Sequence, residues 1–188
     1  MVDALTFLQT RRSTPAKTLK APVPTRAEIE GLLEIAARTP DHKKLEPWRF
    51  IVLSQTALKR LGPLAEVRYD ALNLPVEKRE KTCSQFNDGL LAVAVISSPQ
   101  PCDAIPEIEQ TLSAGAVCLA LLNGALASGW GANWLSGPMA FDQQFLEDGL
   151  GLGAQEYVAG FIHIATRGAT PPERPRPDLA RITTWQDS

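Results

Sequence analysis

The stretch Ala37-Arg38-Thr39-Pro40-Asp41-His42-Lys43-Lys44-Leu45-Glu46-Pro47-Trp48-Arg49-Phe50-Ile51-Val52 decides how this chain is read. A helix arriving from the N-terminal side stops at Pro40, because the residue before a proline is pushed out of the α region. A polar loop follows, and Pro47-Trp48 then opens an aromatic and β-branched run that reads as a strand over 49–53. The loop holds one of the chain's two histidines, two lysines and two acidic residues. Loops held between a helix and a strand are where binding groups collect.

Upstream, Thr25-Arg26-Ala27-Glu28 is a capping box. It starts the helix that ends at Ala37, with Ile29, Leu32, Leu33, Ile35 and Ala36 inward. Residues 3–12 read as a short amphipathic helix capped by Asp3, with Ala4, Leu5, Phe7 and Leu8 on its apolar face. Pro15 to Pro24 is extended. Downstream, 56–72 and 75–87 read as helices polar enough to lie outside the core. Leu90 to Ile96 is an uninterrupted apolar run, the pattern of a strand buried on both faces. Glu107 to Ser128 is a long helix, apolar on nearly every side from Ala114 onward, and so central. Ala132–Leu135 and Val158–Ala165 read as strands, and Phe141–Leu150 as a short helix. From Gly168 the Pro/Arg-rich chain is irregular; it has too little apolar matter to fold alone, so it lies along another surface, with a partner subunit the natural candidate. The expectation is one α+β domain over residues 1–188: a small mixed, mainly antiparallel sheet flanked by helices, with a long buried central helix and an extended tail from about 168.

Composition excludes several classes. The chain has 188 residues, 44% of them hydrophobic, which suits a folded domain. A net charge of −2 argues against broad nucleic-acid binding. The three cysteines have no CxxC spacing, so reduced thiols in a cytoplasmic protein are expected and a metal site is not. The most apolar stretch, Leu112–Ala127, is interrupted by Ser113, Gly115, Asn123 and Gly124 and falls short of the ~20 residues that span a bilayer. GxSxG, HExxH, Walker A and GxGxxG patterns are absent.

Four groups of residues remain as candidates. Arg11, Arg12 and Ser13 offer two guanidinium forks and a hydroxyl suited to a phosphate; equally, arginines there complement a helix C-terminus. Arg38 and His42 sit at a helix end and on the loop after it, able to hydrogen-bond a polar planar ligand or to stay solvated. Trp134, Leu135 and Ser136 follow a Gly-containing turn, either as the start of a core strand or as backbone facing a ligand. Arg174 and Arg176 lie in a proline-rich tail that is either a solvated polyproline segment or part of a phosphate grip.

The ordered set of Arg11-Arg12-Ser13, Asp41-His42-Lys43, Pro47-Trp48-Arg49-Phe50-Ile51-Val52, Ser113-Ala114-Gly115-Ala116, Gly131 to Gly137 and Gly160 to Ala165 resembles the nitroreductase family of flavoenzymes. It is most similar to the compact YdjA-like branch. The resemblance implies a three-layer fold and non-covalent FMN. It implies a ping-pong transfer of reducing equivalents from NADH or NADPH to a nitroaromatic, quinone or similar small-molecule acceptor. It also implies a homodimer with FMN at the interface. By the same resemblance, Arg11, Arg12 and Ser13 hold the cofactor phosphate and Arg174 or Arg176 closes over it. Arg38 and His42 reach the flavin of the neighbouring subunit, and Trp134, Leu135 and Ser136 lie beside the isoalloxazine ring. Gly124, Ala125, Leu126, Ala127, Ser128 and Gly129 match a nicotinamide contact, although small residues there also permit close helix packing. The other expectations are no nucleic acid, no membrane and no side-chain nucleophile. A flavin carrier with little turnover, a related fold running different flavin chemistry, or a module binding another phosphate ligand are the alternatives.

Overall fold

All seven residues of β3, Leu91–Ser97, are buried, and the molecule is layered about this strand. The structure is a computed structural model and describes residues 3–186. Side chains alternate across a strand, so Ala92, Ala94 and Ile96 enter one core while Leu91, Val93 and Val95 enter another. β2 (Trp48–Ser54) pairs with β3 from Trp48↔Ser97 to Ser54↔Leu91. β5 (Tyr157–Arg167) pairs with β3, with β4 (Gly131–Leu135) and with the two-residue β1 (Leu19–Lys20). Every one of these pairings is antiparallel.

On one face lie α2 (Arg26–Ala36) and α5 (Glu107–Ala127), through Ile29, Leu32, Val117, Leu121 and Ala125. On the other lie α3 (Gln55–Ala71), α4 (Arg79–Asn87) and α6 (Gln143–Leu150). The result is the expected three-layer α+β arrangement. The capping box is formed in both directions: Glu28 N donates to Thr25 Oγ1 at 3.3 Å and Thr25 N to Glu28 Oε2 at 2.8 Å. Asp3 caps α1 (Ala4–Thr10) by accepting from Leu5 N and Thr6 N.

Four expectations need correction. α3 and α4 are not outside the core. Leu58, Leu61, Ala65 and Tyr69 form one helical stripe, and with Phe86 they are at most 2% exposed. Phe86 packs on Phe145 and Phe161 at ring distances of 5.2 and 5.4 Å. The charges that made these helices read as peripheral are neutralised in pairs: Arg68 meets the nearly buried Asp142 at the cap of α6, and Arg79 meets Asp70. Conversely, Ile35 is 46% exposed, because Leu32 and Ala36 already face the sheet on α2. Helix α1 buries none of its residues, leaving Leu5 and Leu8 exposed. The tail is not wholly irregular: Asp178 caps the four-residue α7 (Leu179–Ile182). α5 is long and apolar enough to cross a membrane by composition, yet Val117, Cys118, Leu121 and Ala125 are fully buried against the sheet and α2.

Candidate active site

The segment after α1 is fastened to β4. Thr14 N donates to Ala132 O at 2.8 Å, and Asn133 Nδ2 donates to Thr14 O at 3.0 Å. This fastening presents Arg11, Arg12 and Ser13 to one side of a cavity of about 490 Å3. Asn133 and Pro15 line it too, and the tail closes it with Pro171, Pro172, Glu173, Arg174 and Arg176. Arg12 ties the tail down by donating to Pro171 O at 2.8 Å. The structure thus brings together five of the candidates, Arg11, Arg12, Ser13, Arg174 and Arg176, from the two ends of the chain. A cavity of this size falls in the ~300–1,000 Å3 range of small-molecule sites.

Its electrostatics call for an anion. Arg11 donates to Ser13 Oγ at 3.0 Å, but its Nε is buried with no partner, as is Thr14 Oγ1. A buried, unsatisfied donor costs about 1–3 kcal/mol. Burial, and then the charge of Arg176, lower the Arg11 pKa from its usual value. Four guanidiniums face one carboxylate, Glu173, around this space. A phosphate is the ligand that guanidinium forks match in shape and charge.

The remaining candidates lie elsewhere. Arg38 and His42 are exposed and do not line the cavity. His42 Nδ1 is 2.8 Å from Glu109 Oε2 in the first turn of α5. Their loop has left-handed backbone at Lys43, Lys44 and Glu46, held by bonds from Leu45 N and Glu46 N to Asp41 Oδ1. Trp134, Leu135 and Ser136 continue β4 away from Asn133. The Trp134 indole donates to Ala159 O at 3.2 Å and lies so close over Gly160 that a Cβ there would come within 2.1 Å of it. Beyond it is a shallower recess of about 350 Å3 lined by Thr111, Gly115, Phe141, Tyr157 and Ala159. Of the stretch at the end of α5, Gly124, Ala125 and Leu126 are buried, Gly124 against Leu32 and Ile35 of α2. Ala127, Ser128 and Gly129 are exposed.

Sequence reasoning passed over Asn133 and Glu173 as site residues. Both lie inside the candidate segments, but an amide among apolar strand residues and one acid among arginines carry no pattern of their own.

A sequence model of the nitroreductase family matches residues 8–166. The chain belongs to the nitroreductase family. A Haemophilus influenzae protein named "Putative NAD(P)H nitroreductase" is 34% identical over 166 residues, covering 88% of this chain and 89% of the relative. The Escherichia coli K12 protein named "Putative NAD(P)H nitroreductase YdjA" is 28% identical over 165 residues, 88% of each chain. Among solved structures, the nitroreductase-like family protein of Bacillus cereus superposes with a TM-score of 0.81 at 19% identity, covering 100% of this chain and 98% of its own. NfnB from Sphigopyxis sp. strain HMH, described as an FMN and NADPH-dependent nitroreductase, gives 0.75 at 16% identity over 98% and 99%. These structures share the nitroreductase fold with this chain. Within that fold, the cavity between the segment after α1 and the tail is lined by four arginines and one glutamate.

Proposed function

We propose that this oxidoreductase of the nitroreductase family carries FMN and passes reducing equivalents from NADH or NADPH to a nitroaromatic, quinone or similar acceptor by a ping-pong route. The observation that carries the reading is the convergence of Arg11, Arg12, Ser13, Asn133, Arg174 and Arg176 on one cavity with Arg11 Nε unpartnered. These residues fit the phosphate end of FMN, and the names of the relatives point to NAD(P)H. FMN, when bound, supplies the redox chemistry in two half-reactions, which is why no side-chain nucleophile is required. The chain's own groups would bind and orient it: Arg11, Arg12 and Ser13 would hold the phosphate, Arg174 and Arg176 would close over it, and Trp134, Leu135 and Ser136 would border the ring. Ala127, Ser128 and Gly129 are the exposed part of the stretch matched to a nicotinamide contact. The three cysteines are unpaired, in keeping with a cytoplasmic enzyme.

A homodimer belongs to the proposal. Ile108, Leu112 and Leu119 are 61%, 65% and 46% exposed and lie along one stripe of α5. A contiguous apolar surface marks an interface. Across it, Arg38 and His42 would reach the partner's flavin.

The decisive experiment is on the purified protein. The chromophore released by heat should be FMN. NADH or NADPH should bleach it anaerobically, and a nitroaromatic or quinone should restore the colour. A colourless preparation that takes up no FMN, or a bound flavin that neither nucleotide reduces, overturns the reading. The shared site is tested by co-expressing differently tagged Arg12→Ala and His42→Ala chains. In a heterodimer one site keeps both residues, so activity should return to as much as half that of the wild type. Purified heterodimers no more active than either parent would place His42 outside the partner's site.

A further inference from the structure

The carboxylate of Glu173 lies where the cavity's cations converge. Its Oε1 is 2.6 Å from Arg176 Nη2 and its Oε2 is 3.5 Å from Arg12 Nε. All three residues line the cavity. Among the described residues, no carboxylate forms an ion pair with Arg11 or Arg174, although both face the same space. Four arginines against one glutamate leave three positive charges around it. The two pairs of Glu173 are about half exposed, so they contribute little stability and exchange readily. Glu173 stands on the tail segment that Arg12 holds through Pro171 O.

We propose that Glu173 is a built-in counter-ion: it engages two of the phosphate-binding arginines and competes with the cofactor phosphate for them. The proposal rests on the FMN reading above and deepens it, since it assigns the residue that sets how reversibly FMN is held. Without ligand, the guanidiniums repel one another, and the charge of Arg176 already lowers the Arg11 pKa after burial has done so. One carboxylate relieves part of that repulsion. A phosphate dianion relieves more of it and matches the forks bidentately, so it takes Arg12 and Arg176 from Glu173. The remaining carboxylate charge then opposes the bound phosphate. A ligand without a phosphate meets neither the competition nor the opposition.

The test compares wild type, Glu173→Gln and Arg11→Ala, each stripped of flavin and titrated with FMN and with riboflavin by fluorescence. Glutamine keeps the shape and removes the charge at an exposed position. FMN affinity of Glu173→Gln should rise about two- to fivefold at low ionic strength, the range of a screened surface charge interaction. Riboflavin affinity should stay unchanged, and the FMN gain should shrink as salt screens the site. Unchanged FMN affinity overturns the proposal. Weaker FMN binding overturns it too, since that outcome makes Glu173 a clasp for the tail. If Arg11→Ala loses FMN while Glu173→Gln gains nothing, only the role of Glu173 falls. If Arg11→Ala keeps its FMN, the phosphate cavity itself is wrongly assigned.

Discussion

Replacing Arg11 and Arg12 together with alanine should yield a folded, colourless protein. In the proposed site each arginine would make charge-assisted bonds to one phosphate, and such bonds contribute roughly 1.5–3 kcal/mol each. Losing both should weaken FMN binding on the order of a hundredfold to ten-thousandfold. The fold should survive because neither side chain enters a core cluster and α1, which they follow, buries none of its residues. The substitution also removes the bond from Arg12 to Pro171 O, so the tail should become more susceptible to proteolysis while far-ultraviolet circular dichroism stays unchanged. Flavin absorbance per protein and limited proteolysis check both halves. Full flavin occupancy in the double variant would move the phosphate site elsewhere.

Local backbone signals in the sequence were read reliably, and the reason is physical. The proline at 40, the Thr25–Glu28 box and the apolar run ending at Ile96 each act over a few residues, where sterics or a single side-chain bond determine the outcome. What could not be read locally was the sharing of burial between helices. α3 carries enough charge to read as peripheral, yet its stripe of Leu58, Leu61, Ala65 and Tyr69 supplies much of one core. A stripe among charges means a one-sided helix; only the sheet position shows that the covered side is a main layer. The site divides in the same way. The Arg11-Arg12-Ser13 and Arg174/Arg176 segments were each ambiguous between solvated cations and a phosphate grip. Their convergence, more than 160 residues apart in the chain, is a property of the sheet: β4 holds Thr14 through Ala132 and Asn133 beside the place where the strand β5 delivers the tail. The same sheet made Glu173 meaningful, because its partners are an arginine from each end of the chain.

His163 carries the other large effect. It lies on β5 between the cross-strand neighbours Ala92 and Asn133, is 2% exposed, and has its Nε2 buried without a partner. Burial pushes its pKa down to about 4 from 6.5. The folded protein therefore keeps this ring neutral where the unfolded chain would protonate it. Between pH 6.5 and 4 the unfolded state binds the extra proton, so stability falls as the pH falls through that window and is unaffected by this group above it. At ~1.36 kcal/mol per pKa unit, the full loss is on the order of 3 kcal/mol. The paired carboxylates act lower on the scale. Glu156, bonded to Arg49, is held down at about 2 from 4.5, so its contribution is fully present above 4.5 and is lost as the pH falls from 4.5 through 2. His163→Leu should remove the loss between pH 6.5 and 4. At pH 8 it should change stability little, because the neutral ring's unsatisfied nitrogen disappears with it. Thermal midpoints of the FMN-saturated wild type and variant, taken from pH 8 to 4 at one protein concentration, give the comparison. The wild type should fall away from the variant below pH 6.5. Parallel curves would mean that the buried ring is protonated in the folded protein or finds a partner there.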